Sequence, residues 1–103
     1  MQVETFQVLA DPTRLRIVEL LRDGERAVND LVDAVAIHQS GVSRHLRILS
    51  EAGFVQVRPD GPRRLYSLRP EPFRDLDLWI TTALPGAKPS YHQVLKLRQP
   101  MAE

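Results

Sequence analysis

Five side chains in one short run carry the chemistry that most narrows the reading: Gln39, Ser40, Ser43, Arg44 and Arg47. They offer an amide, two hydroxyls and two guanidinium groups, the types that hydrogen-bond to base edges and phosphate oxygens. Their spacing matters as much as their type. Val42, Leu46 and Leu49 stand at steps of four and three and make an apolar stripe at helical spacing. The five polar residues all avoid it, so a helix over 39–52 would bury the stripe and turn them to solvent. His45, next to Arg44, adds a ring nitrogen read as a neutral hydrogen-bond donor at the same boundary. A plain solvated helix face could carry the same residues, so the neighbouring elements must decide.

Those elements are unusually specific. Leu31, Val32 and Val35 make a second apolar stripe, and only Ala36-Ile37-His38-Gln39 separates the two, enough for a turn and nothing more. A helix, a turn of three or four residues and another helix is a helix-turn-helix. Its first helix lacks a Ser or Thr cap at Ala27 or Val28, with Asn29 as the available substitute, and Gly53 suits the left-handed residue that ends the second. Phe54–Arg58 and Leu65–Arg69 are β-rich, and the loop expected between them, Pro59 to Arg64, contains Asp60-Gly61, a hairpin signal. Arg58, Arg63 and Arg64 fall near its tip. A basic hairpin directly behind a helix-turn-helix reads as a winged helix.

Upstream, Val3, Phe6, Val8 and Leu9 suggest a short first helix. Asp11-Pro12 starts a second, with Leu15, Ile17, Val18 and Leu21 expected inside and a stop near Asp23-Gly24. Downstream, Pro70-Glu71-Pro72 opens a last helix with Phe73, Leu76, Ile80 and Ala83 on one face, ended by Pro85-Gly86. Beyond it, Ser90 could cap a short helix in the tail. The fold class expected is mainly α with a small β-hairpin wing (α+β). A domain is expected over residues 1–86, with 87–103 as a tail.

At 103 residues the chain is one small domain, for which dimerisation would be a natural way to complete the core. A hydrophobic content of 43% and a charged content of 26% fit a globular protein. No apolar run approaches the roughly 18–20 residues of a membrane span and no secretory h-region is visible, so a cytoplasmic location without membrane contact is expected. The net charge of +1 conceals an asymmetry. Residues 1–35 hold four Arg against seven acids, and 71–103 balance four of each. Residues 36–70 hold six Arg against Glu51 and Asp60, a surplus of four that falls on the second helix of the pair and the hairpin. Arginine suits bidentate contacts to guanine and phosphate.

Three runs, LADPTRLRIVELL (9–21), HQSGVSRHLRILSEAGFV (38–55) and DGPRRLYSLRPEPF (60–73), resemble the ArsR-type (ArsR/SmtB) winged helix-turn-helix repressor family over about residues 5–80. The resemblance implies a homodimeric, sequence-specific DNA-binding regulator, a repressor, bound to double-stranded DNA at an inverted repeat. It places Gln39, Ser40, Ser43, Arg44 and His45 at the front of the recognition helix, with Arg47 on phosphate and Arg63 and Arg64 on the wing. First and last helices would form the dimer interface, through Val3, Phe6, Phe73, Leu76, Trp79 and Ile80. His38 departs from the family pattern, because a capping Ser is usual there.

Many members of that family respond to metals, so ligands need a search. The chain has no cysteine, which excludes a thiolate site. Asp75, Asp77 and His92 are weak candidates for a divalent metal such as nickel or zinc. However, the two aspartates lie two residues apart and point to different helix faces, and a solvated carboxylate pair is the simpler account. No metal or other cofactor is therefore expected. Catalysis is not expected either: Ser43 and His45 lie on different faces without a buried acid, and no glycine-rich phosphate loop occurs. Control by abundance or by a regulatory protein partner fits the missing cysteines better than metal or small-molecule sensing. A winged-helix docking module without DNA binding is the reading from another class, and the arginine surplus weighs against it.

Overall fold

The computed structural model describes residues 3–83, which run α1 (Val3–Leu9), α2 (Pro12–Leu21), β1 (Arg26–Ala27), α3 (Val28–Val35), α4 (Gln39–Glu51), β2 (Val55–Asp60), β3 (Arg63–Leu68) and α5 (Glu71–Ala83). The expected break at Pro85-Gly86, the tail helix and the boundary at residue 86 lie outside the described residues.

Asp11 starts α2 as its composition requires. The backbone is extended there, and one carboxylate oxygen accepts from the amides of Thr13 at 2.8 Å and Arg14 at 3.0 Å. These bonds hold the Asp11 carboxyl below the usual aspartate range, the Arg14 amide contributing most. Ile17, Val18 and Leu21 are buried as anticipated, but Leu15 is 44% exposed. It sits off the Ile17–Leu21 arc, and its apolar character alone did not place it inside.

The helix pair follows. Asp30, in the first turn of α3, accepts the Ala27 amide at 3.3 Å, so the N-terminus is closed by Asp30 and not by Asn29. Ala36 ends α3 with φ 57 and ψ 40, a left-handed conformation that costs a residue with a Cβ about 1 kcal/mol. Helix α4 ends in a Schellman arrangement: Gly53, φ 84, donates to the Ser50 carbonyl and Phe54 to that of Leu49.

A two-residue extended segment then enlarges the expected hairpin. Arg26 and Ala27 pair with Tyr66 and Leu65, making an antiparallel sheet of order β1-β3-β2. The loop is also shorter than anticipated. Pairing continues through Pro59↔Arg64 to Asp60↔Arg63, leaving only Gly61 and Pro62 as the turn. Gly61 has φ 61 and comes first, the order a type II′ turn demands. Pro59 is tolerated inside a ladder because β2 is the sheet edge.

One core unites these elements: Ile17, Val18, Leu21, Leu31, Val42, Leu46, Leu49, Phe54 and Val55. The α4 stripe is its floor, since Val42, Leu46 and Leu49 are all fully buried. Phe73 of α5 meets Phe54 edge-on, ring centroids 5.4 Å apart, and couples the last helix to this core.

Candidate nucleic-acid interface

With its stripe buried, α4 must show its other side. Gln39, Ser40, Ser43, Arg44 and Arg47 are all exposed, as their spacing predicted. The wing stands beside them. Gln39, Ser43 and Arg47 share a groove of about 870 Å³ with Arg63, Arg64 and Tyr66. Two acids, Asp30 and Glu51, also border it. Five of the eight residues singled out for DNA contact border this groove, while Ser40 and Arg44 are exposed on the same helix without lining it.

The eighth does not share that surface. His45 is half-buried, and its Nδ1 lies 3.2 Å from Nη1 of Arg14 on α2. The signal for this was present in the sequence: His45 follows Val42 by three and precedes Leu49 by four, which puts it on the buried side.

The arginines of residues 36–70 divide into two groups. Arg58 makes a bidentate pair with Glu25, Nε to Oε2 at 2.7 Å and Nη2 to Oε1 at 2.9 Å. That bond is the main reason the Glu25 carboxyl is held low and the Arg58 guanidinium is pushed up. It fastens the wing to the loop before β1. Arg63 bonds Asp60 across the turn at 2.9 Å, and Arg69 lies 3.5 Å from Glu71. Arg44, Arg47 and Arg64 have no ion pair among the described residues. The sequence treats Arg63 and Arg64 alike; the structure leaves Arg64 the freer charge.

Helix α4 begins without help. His38 is extended and makes no side-chain cap, and no acid lies in the first turn. The cap therefore offers the first amides no side-chain acceptor, and the Gly41 amide turns back to the His38 carbonyl at 3.0 Å.

A second exposed surface is apolar. Val3, Phe6, Trp79 and Ile80 are exposed, and Leu78 joins them. Phe6 and Trp79 meet edge-on at 5.5 Å, joining α1 and α5 into one face. Leu76 is half-buried and Phe73 turns inward to Phe54. Asp75 is exposed and Asp77 half-buried, while His92 lies outside the described residues. Among the described residues no group of three or more His, Asp or Glu side chains is gathered as for a metal. No helix there is long and apolar enough to cross a membrane.

Comparison with known proteins agrees with this geometry. The family model described as "Bacterial regulatory protein, arsR family" matches residues 11–57, from the α2 cap into the wing. The HTH-type transcriptional regulator Rv2034 of Mycobacterium tuberculosis is 42% identical over 85 residues, 79% of each chain. The HTH-type transcriptional repressor SmtB of the same organism is 45% identical over 65 residues, 63% of this chain and 48% of that one, so the match spans about half of SmtB. A crystal structure described as a possible transcriptional regulator for arsenical resistance superposes with a TM-score of 0.71 at 40% identity, covering 79% of this chain and 84% of the other. A helix pair with a basic wing, matched across most of its length by such relatives, makes this chain a member of the arsR family of bacterial regulatory proteins, a DNA-binding transcriptional regulator and not an enzyme.

Proposed function

We propose that the chain is a homodimeric repressor that lays α4 in the major groove and its wing against flanking phosphates. The observation that carries this is the shared groove between α4 and the wing, bordered by Arg47, Arg63 and Arg64. Arg44 is the base-reading residue, because a guanidinium fork matches the paired acceptors of guanine. Gln39, Ser40 and Ser43 supply further hydrogen bonds, and Arg47, Arg63 and Arg64 act on phosphates. Dimerisation would cover the apolar face of α1 and α5, where Val3 is 65% and Leu78 61% exposed. A two-fold dimer then reads two half-sites about 34 Å apart in successive major grooves. Such a protein works where the chromosome is, in the bacterial cytoplasm.

Regulation by abundance or by a protein partner, with no resident cofactor, is supported by a chain free of cysteine. Calorimetric titration with nickel and zinc tests this, and micromolar or tighter binding through Asp75, Asp77 or His92 would contradict it.

Selection from a random-sequence duplex pool, followed by sedimentation, tests the main reading. An inverted repeat with one-turn spacing bound by a dimer is expected; an unenriched pool would refute it. Arg64→Ala should weaken binding to every duplex and flatten the salt slope of the dimer by about two units, one for each wing. Arg63→Ala should do so less, because Asp60 already engages that guanidinium. Equal losses would show that the Asp60 pair does not persist on DNA.

A further inference from the structure

We propose that Arg14 and His45 form a positioning pair that sets the angle of α4, so that His45 influences DNA reading through Arg14 and not by touching DNA. This rests on the assignment of α4 as the reading helix.

Arg14 lies in the first turn of α2, its backbone amide fixed by the Asp11 carboxylate. Its guanidinium spans two other elements. Nε donates to the Val8 carbonyl in α1 at 2.7 Å, and Nη1 approaches Nδ1 of His45 on α4 at 3.2 Å. Arginine has no acceptor, so Nη1 donates and Nδ1 accepts, which requires the His45 tautomer protonated at Nε2.

A rigid planar fork serves two directions at once, which a single ammonium cannot do with the same geometry. One side chain therefore bolts the end of α1 and the start of α2 to the reading helix. A rotation of α4 small enough to keep Val42, Leu46 and Leu49 buried would still lengthen the His45 bond, which depends on distance and angle. Such a rotation would misdirect base contacts, which need fixed geometry, far more than phosphate contacts, which tolerate displacement. The signature of this pair is lost discrimination without lost general affinity.

The test uses Arg14→Met, His45→Ala, His45→Asn and the Arg14→Met/His45→Ala double variant. Binding is measured by fluorescence anisotropy over a salt series, to the duplex selected by the wild-type protein and to a random-sequence duplex. Each of Arg14→Met and His45→Ala should weaken binding to the selected duplex about tenfold and leave random-duplex affinity and its salt slope unchanged. The double variant should be no weaker than the worse single one, since both remove the same contact. His45→Asn, whose Oδ1 can accept where Nδ1 did, should restore most of the affinity. Losses that multiply in the double variant, or an Asn variant no better than Ala, overturn the proposal. So does a flattened salt slope in Arg14→Met, which would make Arg14 a phosphate contact. Where Arg14→Met melts below the assay temperature, Arg14→Lys replaces it, keeping the charge and losing the fork, with the same outcome expected. Arg44→Ala runs in parallel: if it leaves selected-duplex affinity unchanged, the reading-helix assignment itself has failed. If it loses that affinity while Arg14 and His45 do not couple, only the positioning pair has failed.

Discussion

Helices α2 and α4 begin in opposite ways. At α2 the Asp11 carboxylate closes two amides and Pro12 removes a third donor. At α4 His38 holds the same extended cap conformation yet accepts nothing. The two helices are equally part of one core, so the difference is not one of burial. Both are held along their length by three buried side chains; α2 is fixed at its start as well, α4 instead at its far end by Gly53. A helix held by its flank can keep its first turn facing outward without losing its place. That arrangement suits an element that has to meet another molecule with its N-terminal residues.

Removing the flank should therefore do the greatest damage. Leu46→Ala deletes a fully buried side chain at the centre of the stripe, and a loss of about 2–5 kcal/mol in urea unfolding is expected. A loss no larger than that from the α2 cap would break the contrast. Next comes Asp11→Ala, with about 1 kcal/mol expected from loss of the cap. Its pH dependence identifies the cause. The Asp11 carboxyl is held below its ordinary value in the folded chain, so its contribution is complete above the ordinary aspartate range. It disappears as pH falls through the lowered folded value. Stability measured from pH 7 downward should fall less steeply in Asp11→Ala than in the wild type, and parallel curves would assign the acid loss elsewhere. The smallest effect is a gain. His38→Ser supplies the missing acceptor and should raise stability by about 0.5–1 kcal/mol. No gain in thermal unfolding would mean that the first turn of α4 is already satisfied.

The same contrast explains what could be read in the sequence. Helix α4 was legible because periodicity reports burial directly, and Val42, Leu46 and Leu49 leave one face for Gln39, Ser43 and Arg47. Gly53 was legible because a left-handed residue after a helix is a local demand. Strand β1 was not, since two residues show no alternation and Arg26-Ala27 is extended only because β3 offers a ladder. Nor was the tight Gly61-Pro62 turn, because Pro59 looks like a loop residue until its place on a sheet edge is known. Asp30 was passed over in favour of Asn29 because both are capping types and only geometry separates them. His45 is half-buried against Arg14, and its spacing from Val42 and Leu49 points inward although its chemistry suits the outer face. Its partner, Arg14, lies 31 residues away, and no local pattern announces such a pair.

The proline in the wing has a consequence for how these molecules coexist. Around a two-residue turn Asp60↔Arg63 is the hydrogen-bonded pair, so Pro59↔Arg64 is a non-bonded one and the backbone nitrogen of Pro59 points to the open side of β2. That side is where an unpaired edge could recruit a strand from another molecule, and Val57, two residues away, is 44% exposed there. Pro59 offers such a strand no N–H to bond. Pro59 therefore weakens the wing's outer edge as a template for another strand, which disfavours edge-to-edge pairing between copies.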